Sequence, residues 1–148
     1  MENIAIASKE SAPISMKNSV EISSFIRGKT TDKAKNLLLR VLEKKVAVPF
    51  KRYHHDITHK KGDIGAGKYP IATARYFIEL IEDVEANAKQ KGMVQPYKII
   101  YLVANKGPKT WHYGRARRIA AKRTHLEIKV REVKKQEPLK KAETKKQK

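Results

Sequence analysis

Apolar residues recur with the 3.6-residue period of an α-helix in three stretches of the chain. These positions are Ile22, Phe25 and Ile26 in the first stretch, Ala34, Leu37, Leu38, Val41 and Leu42 in the second, and Ile71, Ala74, Phe77, Ile78, Ile81, Val84 and Ala88 in the third. The first helix is predicted to begin at Asn18 or Ser19 and to end before Gly28, and the third to lie between Pro70 and Gly92. The third helix carries the widest apolar face, so we expect it at the centre of the core.

Two later stretches have the composition and the two-residue period of β-strands. Residues 97–104 are rich in Ile, Tyr and Val, and residues 124–133 alternate apolar with charged side chains. We predict that the two pair as antiparallel neighbours. A short edge strand is predicted at 12–15, and residues 46–53 are predicted to be extended before a mobile, glycine-containing loop at 54–69.

These elements predict an α+β fold in which three helices pack on a small antiparallel sheet. The connection between the two strands, residues 105–123, is too long for a tight turn and nearly lacks apolar residues, so it is predicted to project as a long β-hairpin arm. One domain is predicted over 12–133, preceded by a flexible N-terminus at 1–11 and followed by a disordered, lysine-rich basic tail at 134–148.

The composition narrows the class of partner. The 148 residues include 34 Lys and Arg against 15 Asp and Glu, which gives a formal charge of +19. Self-repulsion of this size disfavours a compact state unless a polyanion neutralises it, so nucleic acid or an anionic membrane is expected as the partner. No apolar run is long enough to span a bilayer, the first residues lack the features of a signal peptide, and the absence of cysteine indicates a reducing cytosol or nucleus.

The predicted arm concentrates the candidate binding chemistry. Its cations and rings are Lys106, Lys109, Trp111, His112, Tyr113, Arg115, Arg117, Arg118, Lys122 and Arg123, and no acid lies among them. Guanidinium groups bind phosphates in a forked geometry and planar rings stack on unpaired bases, so this mixture is typical of proteins that bind folded RNA. The alternative is a solvated loop whose charge aids only solubility, which would require neither arginine over lysine nor the exclusion of acids.

Other motifs carry weaker chemistry. His54, His55 and His59 could suggest a metal site, but no regular element holds them, and their basic neighbours also suit phosphate contact. The stretch 65–68, Gly-Ala-Gly-Lys, lacks the spacing of a phosphate-binding loop and is predicted to be a flexible turn. The acids cluster on the exposed side of the third helix, and no nucleophile motif is present. We therefore predict no metal, no cofactor, no catalytic residue and no enzymatic activity.

Several short motifs, in the same order, point to one known family. They are 20–29 (Val-Glu-Ile-Ser-Ser-Phe-Ile-Arg-Gly-Lys), 48–53 (Val-Pro-Phe-Lys-Arg-Tyr), 85–88 with Gly92, and 103–109 with 114–118 and 122–125. With these motifs the chain resembles the universal large-subunit ribosomal protein twenty-two family, called large-subunit protein seventeen in eukaryotes, and specifically its archaeal and eukaryotic branch. The similarity covers about residues 12 to 133.

The resemblance implies a structural constituent of the large ribosomal subunit. Its partners would be large-subunit ribosomal RNA, neighbouring large-subunit ribosomal proteins and, near the tip of the arm, the nascent peptide in the exit tunnel that the arm helps to line. Its location would be the cytoplasmic large subunit, with nucleolar assembly in a eukaryote. The predicted RNA-binding residues are those of the arm given above, together with Arg27, Lys29, Lys51 and Arg52.

The chain departs from the family pattern in two places. The arm between Pro108 and His125 is several residues shorter than in most eukaryotic relatives, and the loop at 54–69 is trimmed. A shortened tip can bind RNA without narrowing the tunnel, so RNA binding is the primary expectation. Two alternatives stay open: a non-ribosomal RNA-binding or RNA-chaperone protein, and a protein that binds membrane surfaces through the lysine-rich tail, where Leu139 is the only apolar anchor.

Overall fold

The computed structural model describes residues 4–133, which form three α-helices and five β-strands. In chain order these are β1 (Ile4–Ala12), α1 (Met16–Ile26), α2 (Thr31–Leu42), β2 (Val48–Pro49), β3 (Gly67–Lys68), α3 (Ile71–Gln90), β4 (Tyr97–Lys106) and β5 (Thr124–Glu132). The predicted α+β class and the three predicted helices are confirmed. The predicted tail at 134–148 lies outside the described residues.

The main sheet has three antiparallel strands in the order β1, β5, β4. The predicted pairing of the two C-terminal strands is confirmed, and its register runs from Tyr97 opposite Glu132 to Lys106 opposite Thr124. A second, minimal ladder joins β2 to β3 and closes the predicted loop at its far end. Strand β5, the last in chain order, therefore lies at the centre of the main sheet.

The three helices cover one face of this sheet. Helix α3 packs on β1 and β5, α1 packs on β4, and α2 packs against α3. The inward side chains of β5 are Thr124, Leu126, Ile128 and Val130, and those of β4 are Tyr97, Ile99, Leu102 and Ala104. Each large apolar side chain buried in this way contributes roughly 1.5–3 kcal/mol, so the layer between the sheet and the helices is a major source of stability.

A β-bulge in β4 changes which residues face the core. The register shifts between Ile99 and Tyr101, so the buried positions are odd-numbered before the shift and even-numbered after it. The extra residue keeps Leu102 buried and leaves Tyr101 at the surface, where the Lys129 ammonium lies 5.0 Å from its ring centroid.

The N-terminal segment differs from its prediction. The flexible segment expected at 1–11 is wrong from Ile4 onward, and the edge strand expected at 12–15 is replaced by β1, which ends at Ala12. The outer edge of β1 is capped by α3, because Asn87 donates a hydrogen bond to the Ile6 carbonyl at 2.9 Å and Lys91 donates to the Ile4 carbonyl at 2.9 Å. The inward residues of β1 are mainly alanines, which gave the sequence pattern little hydrophobic contrast.

The start of the first helix also shifts. Helix α1 starts at Met16 after Ser15, rather than at Asn18 or Ser19. Ser19 is buried inside the helix, where its hydroxyl donates a hydrogen bond to the Ser15 carbonyl at 2.9 Å. A serine whose hydroxyl bonds to a carbonyl inside the helix cannot be told from a helix-capping serine by sequence, so the predicted start lay too far along the chain.

The acids of α3 do not all lie on its exposed side. Glu85 is buried, and its Oε2 lies 2.7 Å from the Lys35 ammonium of α2. Its second oxygen, Oε1, is buried without a hydrogen-bond partner among the described residues. Burial, followed by the nearby charges of Glu85 and Glu132, raises the pKa of the Tyr97 phenol, which donates a hydrogen bond to the Met93 carbonyl at 2.9 Å.

Candidate nucleic-acid interface

The predicted arm is a two-stranded extension of the β4–β5 ladder beyond the core. Past the end of the sheet, the Ala121 amide donates to the Thr110 carbonyl at 2.7 Å, and the His112 amide donates to the Ile119 carbonyl at 3.0 Å. A single turn of 3₁₀-helix, Gly114–Ala116, closes the tip, and Gly114 adopts a φ of +65° that favours glycine. The arm therefore has a defined hydrogen-bonded backbone although it buries almost nothing.

The arm presents its rings and cations to solvent. Tyr113 is 93% exposed and Trp111 is 55% exposed, values that are far from the burial of aromatic residues in a core. The Lys109 ammonium lies 4.2 Å from the centroid of the Trp111 ring, so a cation and a stacking surface are held together. The predicted site residues that are exposed here are Lys106, Lys109, Trp111, His112, Tyr113, Arg115, Arg117, Arg118 and Lys122.

The root of the arm is bound tightly to the core. The Thr124 hydroxyl donates to the Ile14 carbonyl at 2.8 Å, and the Arg123 guanidinium donates to the Ser11 carbonyl at 3.2 Å. A Cβ added to Gly107 would lie 2.9 Å from the Cβ of Arg123 and 3.0 Å from its carbonyl group, so only glycine fits without displacement. Arg123, a predicted RNA-binding residue, thus also serves the arm's attachment.

A groove of about 330 Å³ runs between this root and the start of α1. The cations that line it are Lys17, Lys106, Lys109, Lys122 and Arg123, and none of the described residues that line it is acidic. Lys17 was missed by sequence reasoning. It lies some ninety residues from the arm in sequence, and only the fold brings the two together.

A second basic segment lies beside this groove. Lys51 and Arg52 follow β2 in a turn that also contains Tyr53, and the Arg52 guanidinium lies 5.3 Å from the Tyr53 ring centroid. The Lys17 ammonium lies 5.9 Å from the same ring. Lys17 therefore links the groove to the turn. We call the continuous surface that results the basic band, which comprises Lys17, Lys51, Arg52, Lys106, Lys109 and Lys122.

A buried carboxylate positions the turn of the basic band. Glu21 of α1 is 2% exposed, and it accepts hydrogen bonds from the backbone amides of Lys51 at 3.1 Å, Arg52 at 2.8 Å and Tyr53 at 2.7 Å. Three amide donors satisfy the charge of the carboxylate inside the protein. The arrangement directs the side chains of the turn outward while its backbone faces inward.

The other two predicted residues, Arg27 and Lys29, are not brought to the arm. Arg27 follows α1 and donates from its guanidinium to the Leu102 carbonyl at 2.7 Å. Lys29 lies where the chain pairs with the start of β4, and the Ile99 amide donates to its carbonyl at 3.0 Å. These two residues lie along the β4 edge, away from the arm.

Residues 4–133 provide no geometry for a metal site or a membrane-spanning helix. No group of three or more His, Cys, Asp or Glu side chains within that part is arranged to hold a metal ion. No helix there has the length and apolar character to cross a membrane.

Comparison with known proteins gives a consistent result. The family model described as ribosomal protein L22p/L17e matches residues 7–131. The chain is 43% identical over 126 residues to the large ribosomal subunit protein uL22 of Picrophilus torridus, which covers 80% of this chain and 83% of that protein. It is 41% identical over 143 residues to the protein of the same name from Ignicoccus hospitalis, with 89% and 90% covered, and 39% identical over 150 residues to that from Nanoarchaeum equitans, with 95% and 86% covered.

Proposed function

Since this chain belongs to the ribosomal protein L22p/L17e family, we propose that it is a structural constituent of the large ribosomal subunit and binds large-subunit ribosomal RNA through its arm and basic band. The family resemblance predicted from the motifs is confirmed, and its archaeal and eukaryotic branch agrees with the archaeal relatives. The family consists of structural ribosomal proteins, so the prediction that the chain is not an enzyme is confirmed as well.

One observation carries the proposal: an acid-free, exposed arm projects from a rigid sheet with its backbone already ordered. An ordered arm loses little conformational entropy when it binds, because its hydrogen bonds exist before RNA arrives. Its arginines suit phosphates, and Trp111 and Tyr113 suit unpaired bases. A loop that served only solubility would need no such ladder.

The geometry also supports an insertion role for the arm. From Gly107 to Tyr113 the arm extends roughly 20 Å beyond the sheet, at about 3.3 Å per residue. That length is enough to reach past the surface of one RNA helix. We propose that the tip contributes to the wall of the peptide exit tunnel and lies near the nascent peptide. Neighbouring ribosomal proteins would contact other faces of the domain. The protein would act in the cytoplasm, after assembly in the nucleolus where the cell has one.

Charge reversal in the arm tests the proposal. The variant Arg115→Glu, Arg117→Glu, Arg118→Glu should enter large subunits at less than about a tenth of the wild-type level, because removal of several phosphate contacts weakens binding by orders of magnitude. Incorporation is measured by sedimentation of tagged protein with large subunits through a moderate-salt wash. The melting temperature should stay within about 2 °C of wild type, because the arm buries little.

The matched control is Lys44→Glu, Lys61→Glu, Lys89→Glu, which makes the same change in charge at three exposed lysines outside the arm and the basic band. It should incorporate nearly normally. Equal loss in both variants would contradict an arm-specific role. A free RNA chaperone, in contrast, would be recovered mainly outside ribosomes and would bind unrelated RNA of the same length as tightly as ribosomal RNA.

A further inference from the structure

Strand β1 forms one edge of the main sheet, and part of that edge is open. The carbonyls of Ile4 and Ile6 accept hydrogen bonds from Lys91 and Asn87 of α3, so they point away from β5. Backbone groups of alternate residues along a strand point the same way, so the amide and the carbonyl of Ser8 also point outward. Among residues 4–133, no side chain or further strand bonds to these two groups. The edge is therefore capped at its start and open at Ser8, which leaves a template for pairing with another chain.

A cavity lies on each side of this open edge. The first, of about 490 Å³, lies between β1 and α3, and Ile6, Ser8 and Asp83 help to line it. The second, of about 330 Å³, lies on the side of β5 and β4, and its lining includes Ile6, Ser8, Glu10 and Glu127. Ile6 and Ser8 thus border both cavities. An extended segment paired with Ser8 would direct consecutive side chains to opposite faces, so that one enters each cavity.

Both cavities carry carboxylates, in contrast to the acid-free arm. In the first cavity Asp83 is exposed and lies 3.5 Å from the Lys9 ammonium. In the second, Glu127 pairs with Lys129 at 3.0 Å, whereas Glu10 makes no ion pair among the described residues. Lys9 also lines the second cavity, but its ammonium is directed to the acids of α3. Basic side chains therefore complement this edge, and the phosphates of RNA do not.

We propose that the open edge of β1 pairs with an extended segment of another protein of the large subunit, whose consecutive lysine or arginine side chains enter the two cavities. This inference rests on the proposed function, which gives the chain ribosomal neighbours. Backbone hydrogen bonds to Ser8 supply affinity, and the carboxylates of Glu10 and Asp83 select basic side chains. The open edge is short, so the contact strengthens an assembly that RNA already holds together, through effective concentration.

The test uses the full chain in large subunits purified from cells that express it. A photoreactive diazirine amino acid replaces Ile6, which is 45% exposed and borders both cavities. We expect a crosslink, identified by mass spectrometry, to a lysine- or arginine-containing peptide of another subunit protein.

The substitution Ser8→Pro, added to this probe, removes the outward amide. It should lower the crosslink yield about two- to tenfold, the effect of one lost hydrogen bond. Proline is tolerated on edge strands where the amide faces solvent, so the fold should be retained. The matched control Ser8→Thr keeps the amide and should leave the yield unchanged.

A second variant leaves the backbone of the edge intact. Glu10→Gln, Asp83→Asn removes one carboxylate beside each cavity and should lower the crosslink yield about tenfold, because charge-assisted hydrogen bonds are roughly twice as strong as neutral ones. The control Glu43→Gln, Glu82→Gln makes the same change in charge at two exposed acids that line neither cavity. It should crosslink as the unsubstituted chain does.

Equal yields in the edge variants and their controls would overturn the inference. So would a crosslink from the probe to RNA or to residues 134–148 of this chain, or the absence of any crosslink. In each of these cases, co-sedimentation of the chain with large subunits would leave the proposed function standing. Failure of the unsubstituted chain to enter large subunits would instead overturn the proposed function, and the inference with it.

Discussion

At the scale of single residues, the backbone of the basic band depends on a carboxylate that is buried beneath the surface. Glu21 is buried in α1 and accepts three backbone hydrogen bonds from the turn that carries Lys51 and Arg52. Hydrogen bonds to a charged group contribute about 1.5–3 kcal/mol, more than those between neutral groups. Glu21 is a positioning residue, because its charge fixes the backbone of the turn while the cations remain free to bind.

Replacement of Glu21 by Gln should loosen this turn. The amide cannot accept from three donors as well as a carboxylate does, so we expect a loss of about 1.5–3 kcal/mol in the free energy of unfolding, measured by denaturant titration. Hydrogen exchange of the Arg52 and Tyr53 amides should accelerate more than that of α3 amides. The exposed Glu82→Gln serves as the control, and an equal response of both variants would contradict the assignment.

The Lys35–Glu85 pair offers a second prediction at this scale. Replacement of Lys35 by Met leaves Glu85 buried without its cation and should lower the free energy of unfolding by about 3–5 kcal/mol. The double variant Lys35→Met, Glu85→Leu should recover most of this loss, because an apolar pair fills the same space without desolvating a charge. A double-mutant cycle on thermal or denaturant unfolding measures the coupling, and additive effects would show that the two side chains act independently.

At the scale of elements, the direction of the arm depends on the contacts at its root more than on those at its tip. The hydrogen bonds from Arg123 to Ser11 at the end of β1, and from Thr124 to Ile14 just after it, fix the direction in which the ladder leaves the sheet. Close approach of Gly107 to Arg123 completes this root. A small steric change here should alter the position of a tip roughly 20 Å away, because displacement grows along a stiff ladder.

The substitution Gly107→Ala tests this view. The new methyl group would lie within 3.0 Å of the Arg123 backbone, so we expect a destabilisation of about 1–3 kcal/mol from overpacking, together with weaker RNA binding. Chemical shifts of the Thr110 and Ala121 amides would report the change in the ladder. Gly65→Ala is the control, because its added methyl group meets its nearest atom at an ordinary 3.8 Å. Weaker RNA binding without altered arm shifts would contradict the proposed steric cause.

The elements also explain what the sequence could and could not predict. Helix α3 and strand β5 were predicted because long runs of large apolar residues follow one period. Strand β1 was not, because its core-facing Ala5 and Ala7 give little contrast with a polar segment. The chemistry of the arm was evident from local composition, whereas Lys17 joins the arm's groove only through pairings across the fold, which no local pattern contains.

At the scale of the whole molecule, positive charge exceeds negative charge and is concentrated in the acid-free arm. The acids on α3 pair with neighbouring elements, as in the 2.8 Å contact between Lys9 and Glu79. The burial of Lys9 lowers its pKa, but the hydrogen bond with Glu79 and the charge of Asp83 outweigh that effect, so the pKa is raised. Among the described residues, none of those that line the groove at the root of the arm is acidic, and the whole chain carries a formal charge of +19.

The isolated protein should therefore be stabilised by added salt. Screening of the net charge relieves self-repulsion, and each kcal/mol relieved raises the melting temperature by on the order of 4 °C for a domain of this size. Calorimetry from low to moderate sodium chloride measures the effect. A melting temperature that fell with salt would show instead that attractive ion pairs dominate the stability of the fold.

The place of β5 between β1 and β4 has a consequence for how the chain acquires its shape during synthesis. The first strand to emerge finds its partner only in the last one made, about 120 residues later. Until then β4 also lacks its neighbour. The carbonyls of Ser11 and Ile14 likewise lack the Arg123 and Thr124 groups that donate hydrogen bonds to them. Neither the complete sheet nor the two-stranded arm can therefore form before β5 is made, and we expect a chain cut short before β5 to have neither.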